Sequence, residues 1–381
     1  MKILISPQAF KESLSGIEAA RAIEEGVLRV LPNAQTTLIP IADGGDGTLE
    51  TLVGTTEGTI KQATVSDPLG RPIISTWGAL GDGQTAMIEM SRASGLALLQ
   101  EHERDPRITS TSGTGELIIE ALNEGFSRLI IGIGGSATND GGAGMAHALG
   151  IKLLDKYGIN LKPGGSSLKD LDQIDVSGMD TRISDATIMV ATDVSNILCG
   201  PTGASAVYGP QKGATQSMIE ELDQCLNHFA DSIEKILNID IRQVPGSGAA
   251  GGLGAGLMAF LKADLQPGVD VVLDTLKIES YLEDTDLVIT GEGQMDYQTV
   301  FNKAPIGIAK RAQKRNIPVI AIAGSLGKGY EQVFDHGIDG VTAAVLAPMP
   351  LTRATDEAKS LVSLAAERAV RLVEVGRNFD H

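Results

Sequence analysis

The sequence predicts an α/β protein in which a doubly wound, mostly parallel-sheet domain carries a second, α+β domain inserted into it. Three observations predict this fold. Short apolar segments alternate with helical patterns near both ends of the chain, apolar and polar residues alternate in its middle, and its 381 residues are enough for two domains. Strand–helix alternation is typical of βαβ units in a parallel sheet, whereas a period of two is typical of hairpins.

Four nearly apolar segments are predicted to form the parallel sheet, because strands covered on both faces carry few polar residues. Helical patterns over residues 15–31 and 356–375 predict helices, the first capped by Ser13 or Ser15. The predicted strands are residues 2–6, 37–42, 287–290 and 318–323. We therefore expect residues 1–58 and 285–381 to form one Rossmann-like α/β domain.

The middle of the chain, residues 59–284, is expected to form the inserted α/β domain with a mixed sheet. Residues 60–65 and 73–77 alternate in polarity and flank a turn rich in Pro and Gly, which predicts a hairpin. Further predicted elements are strands at 85–90, 128–131 and 186–192, a helix at 217–237 and a glycine-rich helix start at 245–261. Antiparallel and parallel strands would then share one sheet.

Composition argues against several classes of function. A net charge of −17 and an aromatic content of 3% disfavour binding to nucleic acid or to an anionic membrane. Cys199 and Cys225 form no CxxC pair, so neither a zinc site nor a disulfide scaffold is expected. The apolar part of the N-terminus is too short for a signal peptide, and no segment is long enough to span a bilayer. The expected location is the cytoplasm.

Carboxylates follow two of the predicted strands. Asp43 and Asp46 lie directly after the second strand, at the strand ends where open α/β sheets bind ligands. The pair could hold Mg²⁺, which prefers oxygen ligands, or could cap the next helix. Asp193 ends the strand of residues 186–192 and is a candidate general base or metal ligand. Its alternative is an Asx-turn or a helix N-cap.

Two glycine-rich segments are candidates for phosphate binding through backbone N–H groups. The candidate residues are Gly134, Gly135, Ser136, Thr138, Gly251 and Gly252. The spacing Gly132-x-Gly134-x-x-Ala137, with Asp155 about 20 residues on, also matches a dinucleotide fingerprint. Residues 139–142 would break the helix that this fingerprint requires. For Gly251 and Gly252 the alternative is close helix packing.

A third glycine-rich loop follows the strand of residues 287–290, and a lysine opens the next helix. The candidate residues there are Gly291, Glu292, Gly293, Asp296 and Lys303. A carboxylate and a lysine in such a place suit a nucleotide site. Lys11, just after the first strand, is a candidate contact for an anionic group beside a helix N-terminus.

Taken together, these loops resemble those of the type-1 glycerate kinase family of bacteria. The matching stretches are AFKESLSG (9–16), ADGGDGT (42–48), DPLGRP (67–72), TSGTGEL (111–117), GIGGSATNDGGAG (132–144), ATDVSNILCGPTGAS (191–205), YGPQKGA (208–214), GAAGGLGAG (248–256) and DLVITGEGQMD (286–296). The resemblance implies a two-domain α/β fold and ATP-dependent phosphorylation of D-glycerate in an interdomain cleft, with Mg²⁺. It favours the 2-phospho product.

Roles for the candidate residues follow from what phosphoryl transfer needs, namely alignment and neutralisation of charge. We expect Asp193 to orient or deprotonate the glycerate hydroxyl, Asp43 and Asp46 to hold Mg²⁺, and Lys11 to neutralise the substrate carboxylate or the transferring group. The glycine-rich loops would hold anionic oxygens.

Two other functions stay open at this stage. One is an NAD-dependent dehydrogenase, based on the fingerprint spacing. The other is a protein that binds a small acid without turning over ATP. The sequence also leaves open whether the chain forms a homodimer.

Overall fold

The computed structural model describes residues 1–301 and 303–377. Its strands are β1 (Lys2–Pro7), β2 (Gln35–Leu38), β3 (Thr59–Ser66), β4 (Pro72–Ala79), β5 (Thr85–Glu89), β6 (Arg128–Gly132), β7 (Lys152–Leu154), β8 (Gln173–Asp175), β9 (Thr187–Ala191), β10 (Asp264–Gln266), β11 (Leu287–Met295), β12 (Val319–Leu326) and β13 (Gly340–Ala343). Its α-helices are α1 (Gly16–Val30), α2 (Thr48–Thr55), α3 (Ser91–Ser94), α4 (Ser112–Asn123), α5 (Ala143–Ala148), α6 (Ala204–Tyr208), α7 (Gln216–Leu237), α8 (Ala249–Leu261), α9 (Gly268–Thr275), α10 (Ile278–Leu282), α11 (Ala304–Gln313), α12 (Leu351–Asp356) and α13 (Ala358–Arg377).

The chain divides into two compact units. The first unit comprises Met1–Asp43 and the chain from Val269 onward, and the second comprises Gly44–Gly268. The sequence placed the boundaries later in the chain, at 58/59 and 284/285. Helix α2 falls in the second unit because its Leu49 N–H donates to Glu89 on β5. Helix α9 falls in the first unit, where its Asp270 and Asp274 form ion pairs with Arg311 of α11.

The first unit contains a five-stranded, all-parallel sheet in the order β13-β12-β11-β1-β2. The N-cap of helix α1 is Ser15, which forms a capping box with Glu18. Ser15 is one of the two residues that the sequence predicted as the cap. Helices α1 and α13 pack closely, since a Cβ at Gly26 would lie 2.1 Å from the carbonyl oxygen of Ser363. The predicted parallel sheet and closing helix are confirmed.

Two predicted strands of this sheet have different bounds in the structure. Strand β2 ends at Leu38, although Ile39 and Ile41 still donate to the carbonyls of β1. Pro40 lies between them and has no N–H to donate. Strand β11 runs on to Met295, so the expected loop at residues 291–293 is wrong: these residues are part of a strand. Position 291 requires glycine, because a Cβ there would lie 2.1 Å from the carbonyl oxygen of Ile322 and clash with it.

The second unit contains a six-stranded mixed sheet in the order β10-β9-β6-β5-β4-β3. Strands β3, β4 and β5 pair antiparallel, whereas β5, β6, β9 and β10 pair parallel. The predicted hairpin and mixed sheet are therefore confirmed. The core of this unit includes Trp77 and Phe229, both fully buried. Of the helices in the part of the chain that the structure describes, none has the length and apolar character needed to cross a membrane.

Candidate active site

A cavity of about 420 Å³ lies in the first unit, at the carboxyl ends of its strands. Segments that follow β1 and β13 line it, together with the carboxyl-terminal parts of β11 and β12. Five residues singled out from the sequence are among its lining residues: Lys11, Glu292, Gly293, Asp296 and Lys303. Strand β1 pairs with β2 on one side and with β11 on the other, so the direction of the strand order reverses beside this cavity. Ligands of doubly wound folds bind at such a point.

Glu292 is a buried carboxyl group in this cavity, 7% exposed. Its Oε1 accepts a hydrogen bond of 2.7 Å from Thr299 Oγ1. The pKa of Glu292 is raised to about 7, chiefly by burial and also by the negative charges of Asp43 and Asp296, against the opposing effects of Thr299 and Lys303. Several acidic side chains therefore share one poorly solvated region.

Lys303 provides positive charge beside these carboxylates. It is the N-cap residue of α11, with Pro305 in the first turn of that helix, as predicted from the sequence. Its Nζ lies 3.4 Å from Oδ2 of the buried Asp43. Lys11 follows β1 in a tight turn, where the N–H of Phe10 donates to the carbonyl of Leu14. Two lysines thus border one cavity.

The glycine-rich segment after β6 lies in the second unit and is held by a buried lysine that the sequence analysis did not single out. Lys212 is 1% exposed, and its Nζ donates to Ser136 Oγ at 2.8 Å and to the carbonyl oxygen of Thr138 at 2.6 Å. Burial lowers the pKa of Lys212 to about 7, although the charge of Asp140 opposes this. The segment is therefore fixed from within the protein.

Asp140 closes the same segment. It is fully buried and accepts hydrogen bonds from the backbone N–H groups of Thr111, Gly142 and Gly144. Burial raises the pKa of this carboxyl group. Helix α5 begins only at Ala143, well after Gly134. A dinucleotide fingerprint requires a helix near its second glycine, so the geometry does not support that alternative.

The remaining candidates of the glycine-rich segments differ in exposure. Gly134 and Gly135 are exposed, whereas Ser136 and Thr138 are buried. A Cβ at Gly251 would lie 1.9 Å from the carbonyl oxygen of Thr138, which packs directly against it. Gly252 packs in the same way on residue 141, and both glycines have positive φ inside a kink of α8. Close packing, the alternative noted above, accounts for these two glycines.

Asp193 follows β9, the neighbour of β6 in the second sheet. It is exposed, and its Oδ1 accepts from the N–H of Gly268 at 3.1 Å. The glycine-rich segment and Asp193 therefore follow adjacent strands at the same edge of the sheet.

Asp43 and Asp46 belong to different units, because the boundary falls between them. The capping alternative for these two is wrong, since Gly47 is the N-cap of α2.

Carboxylate oxygens are the ligands that Mg²⁺ prefers, so the first unit offers suitable donors in Asp43 and Glu292. Their mutual repulsion, which contributes to the raised pKa of Glu292, is of the kind that a divalent cation relieves. No group of three His, Cys, Asp or Glu side chains suited to a metal occurs among the described residues. The donors fit Mg²⁺ that is shared between one or two carboxylates and substrate phosphates.

Comparisons with known proteins agree on one family. Residues 3–374 match the model of the glycerate kinase family. The chain is 51% identical over 379 residues to Glycerate kinase of Bacillus subtilis, covering 100% of this chain and 99% of that one. It is 49% identical to Glycerate 2-kinase of Escherichia coli, with 99% of each covered. A crystal structure named for glycerate kinase 2 of Salmonella typhimurium LT2 is similar at a TM-score of 0.92 and 46% identity, over 99% of both chains.

Proposed function

This chain belongs to the glycerate kinase family, and we propose that it transfers the γ-phosphoryl group of ATP to the 2-hydroxyl group of D-glycerate. Membership of the family makes it a phosphotransferase that acts on an alcohol group. The name of the Escherichia coli relative, Glycerate 2-kinase, supports the position of transfer. The name of the Salmonella typhimurium structure agrees with it.

The observation that carries the proposal is the charged cavity of the first unit. Lys11 and Lys303 place two ammonium groups on one cavity, and ATP brings negative phosphate oxygens that need such neutralisation. Gly293 lines the cavity without a side chain, so a ligand can approach the main chain there. We assign the polyphosphate of ATP to this part of the cavity.

The second unit supplies the proton acceptor in this proposal. Asp193 is exposed at the end of β9, where the N–H of Gly268 donates to its Oδ1, and a carboxylate in this place would accept the proton of a substrate hydroxyl. The exposed Gly134 and Gly135 offer backbone N–H groups beside it. Lys212 keeps this segment in place through Ser136 and Thr138.

Mg²⁺ belongs to the proposal as the partner of the phosphates, with Asp43 and Glu292 as the residues that would hold it and Asp46 as a further carboxylate of the same loop. When bound, the ion neutralises charge on the phosphate oxygens. Lys303 pairs with Asp43. The ammonium group of Lys303 therefore positions this carboxylate.

Formation of ADP tests the proposed reaction. The chain is incubated with ATP, Mg²⁺ and D-glycerate, and ADP is measured with each component omitted in turn. We expect ADP only when all three are present. In a parallel incubation with NAD⁺ in place of ATP, reduction of NAD⁺ would indicate the dehydrogenase, and binding of D-glycerate without turnover in either incubation would indicate a binding protein.

The role of Asp193 has its own test, the variant Asp193→Asn. We expect kcat to fall by more than about tenfold, because an amide cannot accept the hydroxyl proton. Asp185→Asn is the matched control, since Asp185 is an exposed carboxylate just before the same strand, at its other end. A smaller fall in kcat for Asp193→Asn, or an equal fall in the control, would contradict the assignment.

A further inference from the structure

The cavity of the first unit has a lining that polyphosphate does not use. Alongside the charged residues, it includes the aliphatic side chains of Val345, which follows β13, and of Leu351, Ala354 and Leu361 on α12 and α13. Aliphatic groups gain nothing from contact with phosphates or magnesium. The two kinds of lining therefore indicate a ligand with a charged part and an apolar part.

Of the two substrates in the proposed reaction, only the nucleotide has this character. D-glycerate carries an oxygen on every carbon, so it is recognised through polar contacts. ATP joins a flat, largely apolar nucleobase to a charged polyphosphate. A cavity of about 420 Å³ also falls within the size range of sites that enclose ligands as large as cofactors.

A polar group in the same cavity fits the edge of a nucleobase. Oε1 of Gln8 is a buried oxygen without a hydrogen-bond partner among the described residues, and Gln8 lines the cavity. A buried acceptor of this kind is costly until a donor reaches it. It would repel phosphate, whereas the exocyclic amino group of adenine can donate to it.

We propose that the aliphatic lining formed by Val345, Leu351, Ala354 and Leu361, together with Gln8, is the nucleobase subsite for ATP. This inference rests on the proposed function. The adenine ring packs on these side chains and donates to Gln8, while the polyphosphate extends toward Lys11 and Lys303. D-glycerate takes no part in this subsite.

The variant Ala354→Trp tests the subsite, because Ala354 is only half-buried on α12 and a large ring there would fill the cavity. We expect the KM for ATP to rise by about tenfold or more, the loss of about 1.4 kcal/mol of binding. The KM for D-glycerate should stay within about twofold. Thr352→Trp is the matched control, since Thr352 is an exposed residue of the same short helix that does not line the cavity.

Two partial ligands separate the subsite from the phosphate site. Adenosine and tripolyphosphate are each used as inhibitors against ATP in the wild type and in Ala354→Trp. We expect the variant to weaken inhibition by adenosine and to leave inhibition by tripolyphosphate unchanged. Ala354→Leu replaces the larger variant if the latter loses the wild-type circular dichroism spectrum.

Two results would overturn the inference. One is an unchanged KM for ATP in a folded variant, and the other is a raised KM for D-glycerate in place of the KM for ATP. Both are distinct from failure of the proposed function, which would appear as absence of glycerate-dependent ADP formation in the wild type.

Discussion

Replacement of Lys212 by methionine is expected to change how the stability of the second unit depends on pH. Burial lowers the pKa of Lys212 from its ordinary value of 10.5 to about 7. Between these values the unfolded chain binds a proton that the folded chain has released. The free energy of unfolding of the wild type therefore rises with pH through this window.

The magnitude follows from the size of the shift. Each pH unit inside the window changes the free energy of unfolding by about 1.4 kcal/mol, so the wild type gains about 3 kcal/mol between pH 7.5 and pH 9.5. Lys212→Met removes the titrating group. It also leaves Ser136 Oγ and the carbonyl of Thr138 without this donor, which costs about 1–3 kcal/mol each. The advantage of the wild type over the variant should thus grow by about 3 kcal/mol over this range.

Urea unfolding followed by tryptophan fluorescence measures this difference. The only tryptophan of the chain, Trp77, is 1% exposed on β4, in the same unit as Lys212. Lys61→Met is the control, because Lys61 is a half-exposed residue of that unit with an ion pair to Glu124. The control should keep the pH dependence of the wild type. A difference between wild type and Lys212→Met that stays constant from pH 7.5 to pH 9.5 would refute the reasoning.

Two further predictions concern other buried positions. Gly251→Ala should lower the free energy of unfolding by about 3 kcal/mol or more, because its Cβ would lie 1.9 Å from the carbonyl of Thr138 at a φ of +69°; Gly134→Ala, with no atom within 4 Å of its Cβ, is the control in the same urea assay. The raised pKa of Glu292 makes the wild type lose stability as pH rises from 4.5 to 7. In metal-free buffer, the free energy of unfolding of Glu292→Gln relative to that of the wild type should therefore increase by about 3 kcal/mol over this range. Urea unfolding followed by circular dichroism checks the second prediction, and a constant difference would contradict it.

Much of the fold could be predicted because hydrophobic periodicity reports which faces are buried. The apolar segments at residues 2–6 and 318–323 have the length and composition of strands in a covered sheet, and the alternation around Trp77 is typical of a hairpin. Strand β13 escaped notice because its four residues are neither strongly apolar nor alternating. The unit boundaries differ because the pattern of α2 shows that one face is buried but not which sheet covers it.

Part of the candidate site could also be predicted from the sequence. Lys11 and Lys303 could be singled out because one follows a strand and the other opens a helix, and Glu292 because it follows the apolar part of β11. The structure brings all three to one cavity. Lys212 was missed because lysine is almost always exposed and because the residues around it in the sequence do not indicate that it is buried. The aliphatic lining was missed because Val345 and α12 precede the predicted helix of residues 356–375, and because the pattern of that helix does not show what its apolar face covers.

The most direct test of the proposed reaction is identification of its product. The chain is given ATP, Mg²⁺ and D-glycerate, and the product is passed to enolase without phosphoglycerate mutase. Immediate turnover by enolase, in proportion to the ADP formed, is the predicted result, because enolase accepts 2-phosphoglycerate. ADP formation with no enolase turnover until mutase is added would contradict transfer to the 2-hydroxyl group, and absence of glycerate-dependent ADP would contradict the reaction itself.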